Sequence, residues 1–290
     1  MRVTQAGTWS MVRANLTSIL AETRKTEEQA VTGLLVNRPS DAPELRVQVD
    51  ALAASIADQS VYERNATGAM STLDTMDSAL ARAHDAMTRA REIAVQMAGD
   101  TMTAEEREIA AQEVESLRAT LLDAANTEYA GRYVFAGTAY DATPFDDAGT
   151  YSGTTDEPST RVGENAWVAT GRDGSSVFQG DIDVFAALAD LQTALEGDDD
   201  AGVSAAIDDI DEGLDQLVAA RGDVGNATNV AEDALSLSES LAAELQTRLD
   251  TIAGADPAET YTKLSELRSA YSTALQVAAS GNKQSLFDLL

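Results

Sequence analysis

The chain has 290 residues and a formal net charge of −29, the wrong sign for neutralising phosphate, so nucleic acid is excluded as a partner and anionic membrane surfaces are disfavoured. Apolar residues make up 44% but aromatics only 5%, a composition suited to long helices with small-residue seams rather than a thick globular core. Cysteine is absent, which rules out disulfides and thiolate metal sites.

From the N-terminus, residues 3–35 carry Trp9, Val12, Leu16, Ile19, Ala30 and Leu34 in three- and four-residue steps. That spacing predicts a helix with a narrow coiled-coil stripe. The run Asn37-Arg38-Pro39-Ser40-Asp41-Ala42-Pro43 ends it, because each proline holds the preceding residue extended. Ser40 or Asp41 caps the next helix and Pro43 fits its first turn. A second helix is expected over residues 44–97, carried by Ala66, Ala69, Leu73, Met76, Leu80, Ala83, Met87, Ala90, Ala94 and Met97, with Leu45, Val49, Leu52 and Ile56 before a slip near residues 59–62. At about 1.5 Å per residue it spans roughly 80 Å, which predicts a rod. Gly99-Asp100-Thr101 breaks the pattern, and Thr103-Ala104-Glu105-Glu106 reads as the capping box of a third helix using Ile109, Val114, Leu117, Leu121 and Leu122.

The texture then changes. Residues 132–137 read as a strand, and Trp167-Val168-Ala169 and Ser176-Val177-Phe178 as hairpin strands within a β-rich insertion. Helical pattern returns over residues 184–195 and, after an acidic loop at 198–202, over 203–252, with Arg221 and Thr228 interrupting the seam. Gly254-Ala255-Asp256-Pro257 separates this from a terminal helix carrying Leu264, Leu267, Tyr271, Ala274 and Ala278. The plan is palindromic: the chain goes out and comes back. The fold class expected is mainly α, an elongated antiparallel helical coiled-coil rod with a small β-rich insertion. The expected segments are a terminal helix and linker (1–43), outgoing rod helices (44–138), the insertion (139–182), return rod helices (183–254) and the C-terminal helix (255–290). Neither terminal stripe is wide enough to bury its apolar face alone, so the ends read as partner helices that pack against copies or neighbours.

No catalytic constellation emerges. His84, the sole histidine, lies inside a helix beside Asp85, and a two-histidine metal site is impossible. The acids of residues 196–200 lack the spacing of a calcium loop and read as a solvated turn. Arg221-Gly222-Asp223 lies in a helical seam, whereas receptor recognition of that tripeptide needs an exposed loop. Three Asn-X-Thr matches, at Asn15, Asn65 and Asn226, also fall in helices. The methionines at 70, 76, 87 and 97 read as packing. No enzyme activity and no cofactor are expected. Residues 1–25 lack an apolar signal-peptide core and no stretch is long enough to cross a membrane.

Several local runs resemble one family in order. Asn37-Arg38-Pro39-Ser40-Asp41 resembles its linker, and Arg91-Glu92-Ile93-Ala94-Val95-Gln96 the end of its first long helix. Asn126 with Gly131-Arg132-Tyr133-Val134-Phe135-Ala136-Gly137-Thr138 is the most specific run, continued by Pro144-Phe145 and Tyr151-Ser152-Gly153. Arg221-Gly222-Asp223-Val224-Gly225 resembles the return helix, and Ser285-Leu286-Phe287-Asp288-Leu289-Leu290 the ending. The family is the flagellin superfamily and, within it, the hook-filament junction family, hook-associated protein 3.

The resemblance implies a structural subunit of the bacterial flagellum, an adaptor between the hook side and the flagellin filament. Its implied partners are its own copies in a ring, hook-associated protein 1, flagellin, and an export chaperone before secretion. Export is implied to use the flagellar type III route without a cleaved signal, placing the protein outside the cell. The assembly interface is expected at Trp9, Val12, Leu16, Ile19, Leu20, Leu264, Leu267, Tyr271, Leu275, Leu286 and Phe287. Competing readings are a short flagellin forming the filament itself, an intracellular signalling rod, and an enzyme sited in the insertion.

Overall fold

The computed structural model describes residues 5–38, 42–99 and 102–287, without the side chains of residues 5, 6, 8, 9 and 280–287. Pro39, Ser40 and Asp41, read above as linker and cap, lie outside the described residues, as do Asp100 and Thr101 of the expected break. The fold is mainly α with a small antiparallel β insertion. In chain order come α1 (Gln5–Thr32), α2 (Pro43–Met97), α3 (Ala104–Ala125), β1 (Glu128–Tyr129), β2 (Arg132–Tyr133), β3 (Ser159–Arg161), β4 (Trp167–Ala169), α4 (Gly174–Phe178), α5 (Val184–Glu196), α6 (Asp200–Ala253) and α7 (Pro257–Phe287). The chain divides into two compact units: Met1–Asp58 with Leu241–Leu290 (unit 1), and Gln59–Ser240 (unit 2).

Unit 2 holds the larger core. All ten seam residues from Ala66 to Met97 are buried, and they join Val114 and Leu121 of α3, Leu188, Leu191 and Leu195 of α5, and Ile210, Leu217 and Val224 of α6 in one cluster. Alanine at half of these seam positions lets the helices approach closely, which is why so few aromatics are needed. The capping box forms as expected: the Glu106 backbone N–H donates to the Thr103 hydroxyl at 3.3 Å, and the Thr103 N–H donates to the Glu106 carboxylate at 2.8 Å. Thr103→Ala removes one half of this exchange, and we expect it to cost about 1 kcal/mol of unfolding free energy in urea titration.

Three local expectations are corrected. Ile109 is 64% exposed; the buried face of α3 is instead Ala110, Ala111, Val114 and Leu121. The acidic loop is not simply solvated. Asp198 and Asp200 both pair with Arg107, which is 3% exposed and also donates from Nε to the Met97 carbonyl at 3.2 Å. A guanidinium that deep needs carboxylates and carbonyls to replace water, and the turn into α6 supplies them. Finally, Ser176-Val177-Phe178 is helical rather than a strand: Asp173 caps α4 by accepting from the Ser175 N–H at 2.9 Å, so Val177 and Phe178 reach the core from a helical turn.

Two hairpins accompany an aromatic cluster, one just before the insertion and one within it. β1 and β2 pair antiparallel across Ala130 and Gly131, whose φ angles of 50° and 80° suit a two-residue turn. The strand expected over residues 132–137 stops at Tyr133. Gly137 follows with φ +60°, and a Cβ there would stand 2.1 Å from the Thr154 carbonyl oxygen, so only glycine fits. β3 pairs with β4, matching Thr160 with Val168. Beneath them Phe135, Phe145, Phe178 and Phe185 are buried, with Phe178 edge-on to Phe135 and Phe145.

In unit 1 the two linkers clasp each other. Leu34 and Gly254 form an antiparallel bridge, the Leu35 N–H donates to the Ala253 carbonyl at 2.7 Å, and the Ala255 N–H donates to the Gly33 carbonyl at 2.8 Å. This sets the end of α1 beside the start of α7, so the two helices run antiparallel along one another. Val49, Leu249 and Ala253 close a small apolar plug beside Leu34, Leu52 and Ile56.

Candidate assembly face

The terminal helices α1 and α7 carry the residues expected to form an interface. Their mutual seam continues the three- and four-residue steps through polar positions. Val12, Leu16, Ile19 and Ala30 are half-buried on α1, with Thr23 half-buried and Thr26 buried in the gap between them. On α7, Thr260 and Leu264 are buried, and Leu267, Tyr271, Ala274 and Ala278 half-buried. Sequence reading missed the threonines because it followed only apolar residues; continuing the step past Ile19 lands on both. Thr260 donates to the Asp256 carbonyl at 2.7 Å, whereas the Thr26 hydroxyl is buried without a hydrogen-bond partner. Leaving such a group unsatisfied costs on the order of 1–3 kcal/mol, so this stretch of seam is weaker than an all-leucine one.

Leu20 and Leu275 are not in this seam. They are 37% and 44% exposed, and Met11 at 63%, Val31 at 87% and Tyr261 at 62% are likewise uncovered on these two helices. The side chains of Trp9, Leu286 and Phe287 lie outside those described. Grooves run beside the pair: one of about 780 Å³ between Val12 and Asn15 of α1 and residues 265–277 of α7, another of about 920 Å³ lined by Leu16, Thr17 and Ala278. The apolar residues that unit 1 does bury, among those described, are Val36, Val49, Leu249, Ala253 and Leu264.

Two ion pairs fix the register of the helices: Lys263 with Glu22 and Arg268 with Glu27, both at 2.9 Å. The hydrogen bond and charge of Lys263 hold the Glu22 carboxyl below its ordinary value of 4.5, against a smaller opposing effect of burial. A depressed carboxyl stabilises the folded pair above its unfolded pKa and loses that contribution as pH falls through the folded one. Both groups are substantially exposed, so the effect is modest. We expect the protection factors of α7 amides, corrected for intrinsic exchange, to fall on acidification below pH 4.5, and Lys263→Gln to remove that dependence.

The remaining candidates are accounted for by packing. The Arg221 guanidinium makes two hydrogen bonds to Asp77, at 2.9 and 3.2 Å, and Asp223 accepts from Arg172 at 3.0 Å, so both charged ends of the Arg-Gly-Asp tripeptide are engaged. Asn65 donates its amide to the Arg161 carbonyl at 2.7 Å. His84 meets only Asp85, at 3.8 Å, among the ion pairs of the described residues. Among those residues no group of three or more His, Asp or Glu is placed to hold a metal ion, and no helix is long and apolar enough to cross a membrane.

Comparison with known proteins adds a family relation. Residues 5–140 match the bacterial flagellin N-terminal helical region. The chain is 30% identical over 180 residues to flagellar hook-associated protein 3 of Salmonella typhimurium, covering 61% of this chain and 57% of that one. It is 31% identical over 165 residues to the Escherichia coli protein of the same name, covering 56% and 52%. The chain thus spans a little over half the length of these relatives. Among solved structures, a flagellar hook-associated protein from Vibrio parahaemolyticus superposes with a TM-score of 0.65 at 19% identity, covering 74% of this chain and 98% of that one. Bacillus cereus FlgL superposes with a TM-score of 0.62 at 20% identity, covering 69% and 99%. At such identities the superpositions establish the fold alone.

Proposed function

We propose that this chain, which is 30% and 31% identical to two proteins named flagellar hook-associated protein 3 and matches the flagellin N-terminal helical region over residues 5–140, belongs to that family and is a structural subunit of the bacterial flagellum, joining the hook side to the flagellin filament by coiled-coil assembly of its terminal helices. The observation that carries this is the contrast within unit 1. A 28-residue and a 31-residue helix leave Met11, Leu20, Val31, Tyr261 and Leu275 in water while burying little between them. Fully burying a side chain of this size is worth about 1.5–3 kcal/mol, so covering these residues by neighbouring copies supplies the drive to assemble. In this reading residues 1–43 and 255–290 form the assembling ends, 44–138 and 183–254 the rod, and 139–182 its insertion. The partners are copies of this chain, hook-associated protein 1 on one side and flagellin on the other, with an export chaperone beforehand; the protein works outside the cell and catalyses nothing.

The match of residues 5–140 to the flagellin N-terminal region favours a second reading, a short flagellin that builds the filament. Deleting the gene separates the two. Electron microscopy showing hooks without filaments, with unpolymerised flagellin in the medium, is the result expected of the junction. Normal filaments would eliminate an essential junction role.

A further inference from the structure

The two long helices of unit 2 depart from good helix composition at one level. Gly68 of α2 and Gly222 and Gly225 of α6 lie in helix interiors and are exposed. Glycine there weakens a helix relative to alanine, because it surrenders more backbone freedom on folding. Close packing can justify that cost, as at Gly213 of α6, where a Cβ would stand 2.9 Å from Met87 Cε and 3.1 Å from Val184 Cγ1. At Gly68, Gly222 and Gly225 a Cβ would meet nothing within 4 Å beyond its own stretch of helix. Packing among the described residues therefore gives no reason for these three, and a local rule broken without a packing reason points to function.

Nearby side chains add to the weakness. In α2 four hydroxyls turn back onto carbonyls one turn earlier: Thr67 onto Glu63 at 2.9 Å, Ser71 onto Thr67 at 3.1 Å, Thr72 onto Gly68 at 3.1 Å and Thr75 onto Ser71 at 2.9 Å. In α6 Thr228 does the same to Val224 at 3.0 Å. Such bonds compete for the carbonyls of the helical ladder and bend helices, and glycine with serine is a recurrent site of kinks. The two stretches fall at one level, because α2 and α6 run antiparallel, with Arg221 bound to Asp77 and Arg91 to Asp211. Counting on from the first pair sets Gly222 and Gly225 beside residues 73–76 of α2. The third helix stops short of this level: Arg89 binds Glu113 within α3, and Arg82 binds Thr127 just past its end. Residues 79–97 of α2, which α3 does brace, contain no glycine. We propose that residues 67–75 and 222–228 form a flexure, where α2 and α6 loosen together and the helix pair bends while residues 79–97 stay rigid. Ala66, Ala69 and Leu73 are buried like Met87 and Ala90, so the joint yields in its backbone and keeps its apolar seam. The flexure goes beyond the assembly reading and does not depend on it.

Hydrogen exchange and residual dipolar couplings of the full chain test it. Protection factors, corrected for intrinsic exchange, should be about tenfold lower over residues 67–75 and 222–228 than over residues 79–97. In a variant combining Gly68→Ala, Gly222→Ala and Gly225→Ala they should rise about fivefold per glycine replaced, in those two stretches alone. Dipolar couplings of residues 59–66 should report weaker alignment than those of residues 79–97 in the wild type, and the difference should close in the variant. Equal protection of the three stretches in the wild type overturns the flexure. A rise in the variant spread evenly over unit 2 also overturns it, because alanine would then be acting through global unfolding. One alignment shared by residues 59–66 and 79–97 in the wild type shows a straight, rigid helix and overturns the bending.

Discussion

Leu275→Asp should abolish assembly while leaving the isolated chain as stable as the wild type. Leu275 is 44% exposed and flanks the line of Leu264, Leu267 and Tyr271, which are less exposed on the same helix. A carboxylate there stays hydrated in the single chain and costs it little. In an assembly that covers the same position, the charge must be stripped of water, at about 2–5 kcal/mol per subunit once some relaxation is allowed. Repeated at every copy of the proposed assembly, that is enough to prevent it. Leu16→Asp is the informative companion. Leu16 is half-buried beside the groove that Ala278 also lines, so its replacement should loosen the α1–α7 pair as well as block assembly, with unit 2 still helical by circular dichroism. Normal filament growth from cells carrying Leu275→Asp would show that Leu275 does not lie in an interface.

Phe145→Ala should destabilise unit 2 by about 3–5 kcal/mol in urea denaturation. The ring is 1% exposed, with centroids 5.5 Å from Phe178, 5.1 Å from Phe185 and 5.1 Å from Tyr151. Its backbone is held as firmly: the Phe145 N–H donates to Asn126 Oδ1, and Asn126 Nδ2 donates to the Phe145 carbonyl, both at 3.0 Å. Truncation leaves a void that neither clamp lets the chain collapse into. Phe145→Leu keeps most of the volume and should cost about 1–2 kcal/mol. A loss below about 1 kcal/mol for alanine would mean that the four rings do not act as one packed cluster. Because Phe145, Val168 and Phe178 belong to the same core as Leu73 and Leu217, this insertion is not an appendage that a short linker could replace without cost. The enzyme reading would need a test that spares that core.

The long helices were legible because their signal is repeated. Ten consecutive seam positions from Ala66 to Met97 agree, and no single residue decides the outcome. The start of α3 was legible from four residues, because a capping box is local chemistry. What stayed hidden depended on partners distant in sequence. Ile109 fits a seam step, yet α5 packs on the neighbouring alanine face, so isoleucine points outward. Asp198 and Asp200 look like a solvated run until Arg107, some ninety residues earlier, arrives beneath them. Val177 and Phe178 have the composition of a strand, and a single capping aspartate turns them into a helical step. The α1–α7 seam was half-read, since two threonines occupy the positions where leucine was sought.

The linker clasp in unit 1 is written almost wholly in main-chain atoms, Leu35 N–H to Ala253 and Ala255 N–H to Gly33. Amides are the same in nearly every residue, so the identity of the side chains at positions 35 and 255 can drift without loosening it. Proline is the exception, because it brings no N–H to donate. A joint built this way is silent to most substitution and intolerant of one residue type. Across divergent relatives it would leave its trace in which residue is missing, rather than in which residue is kept.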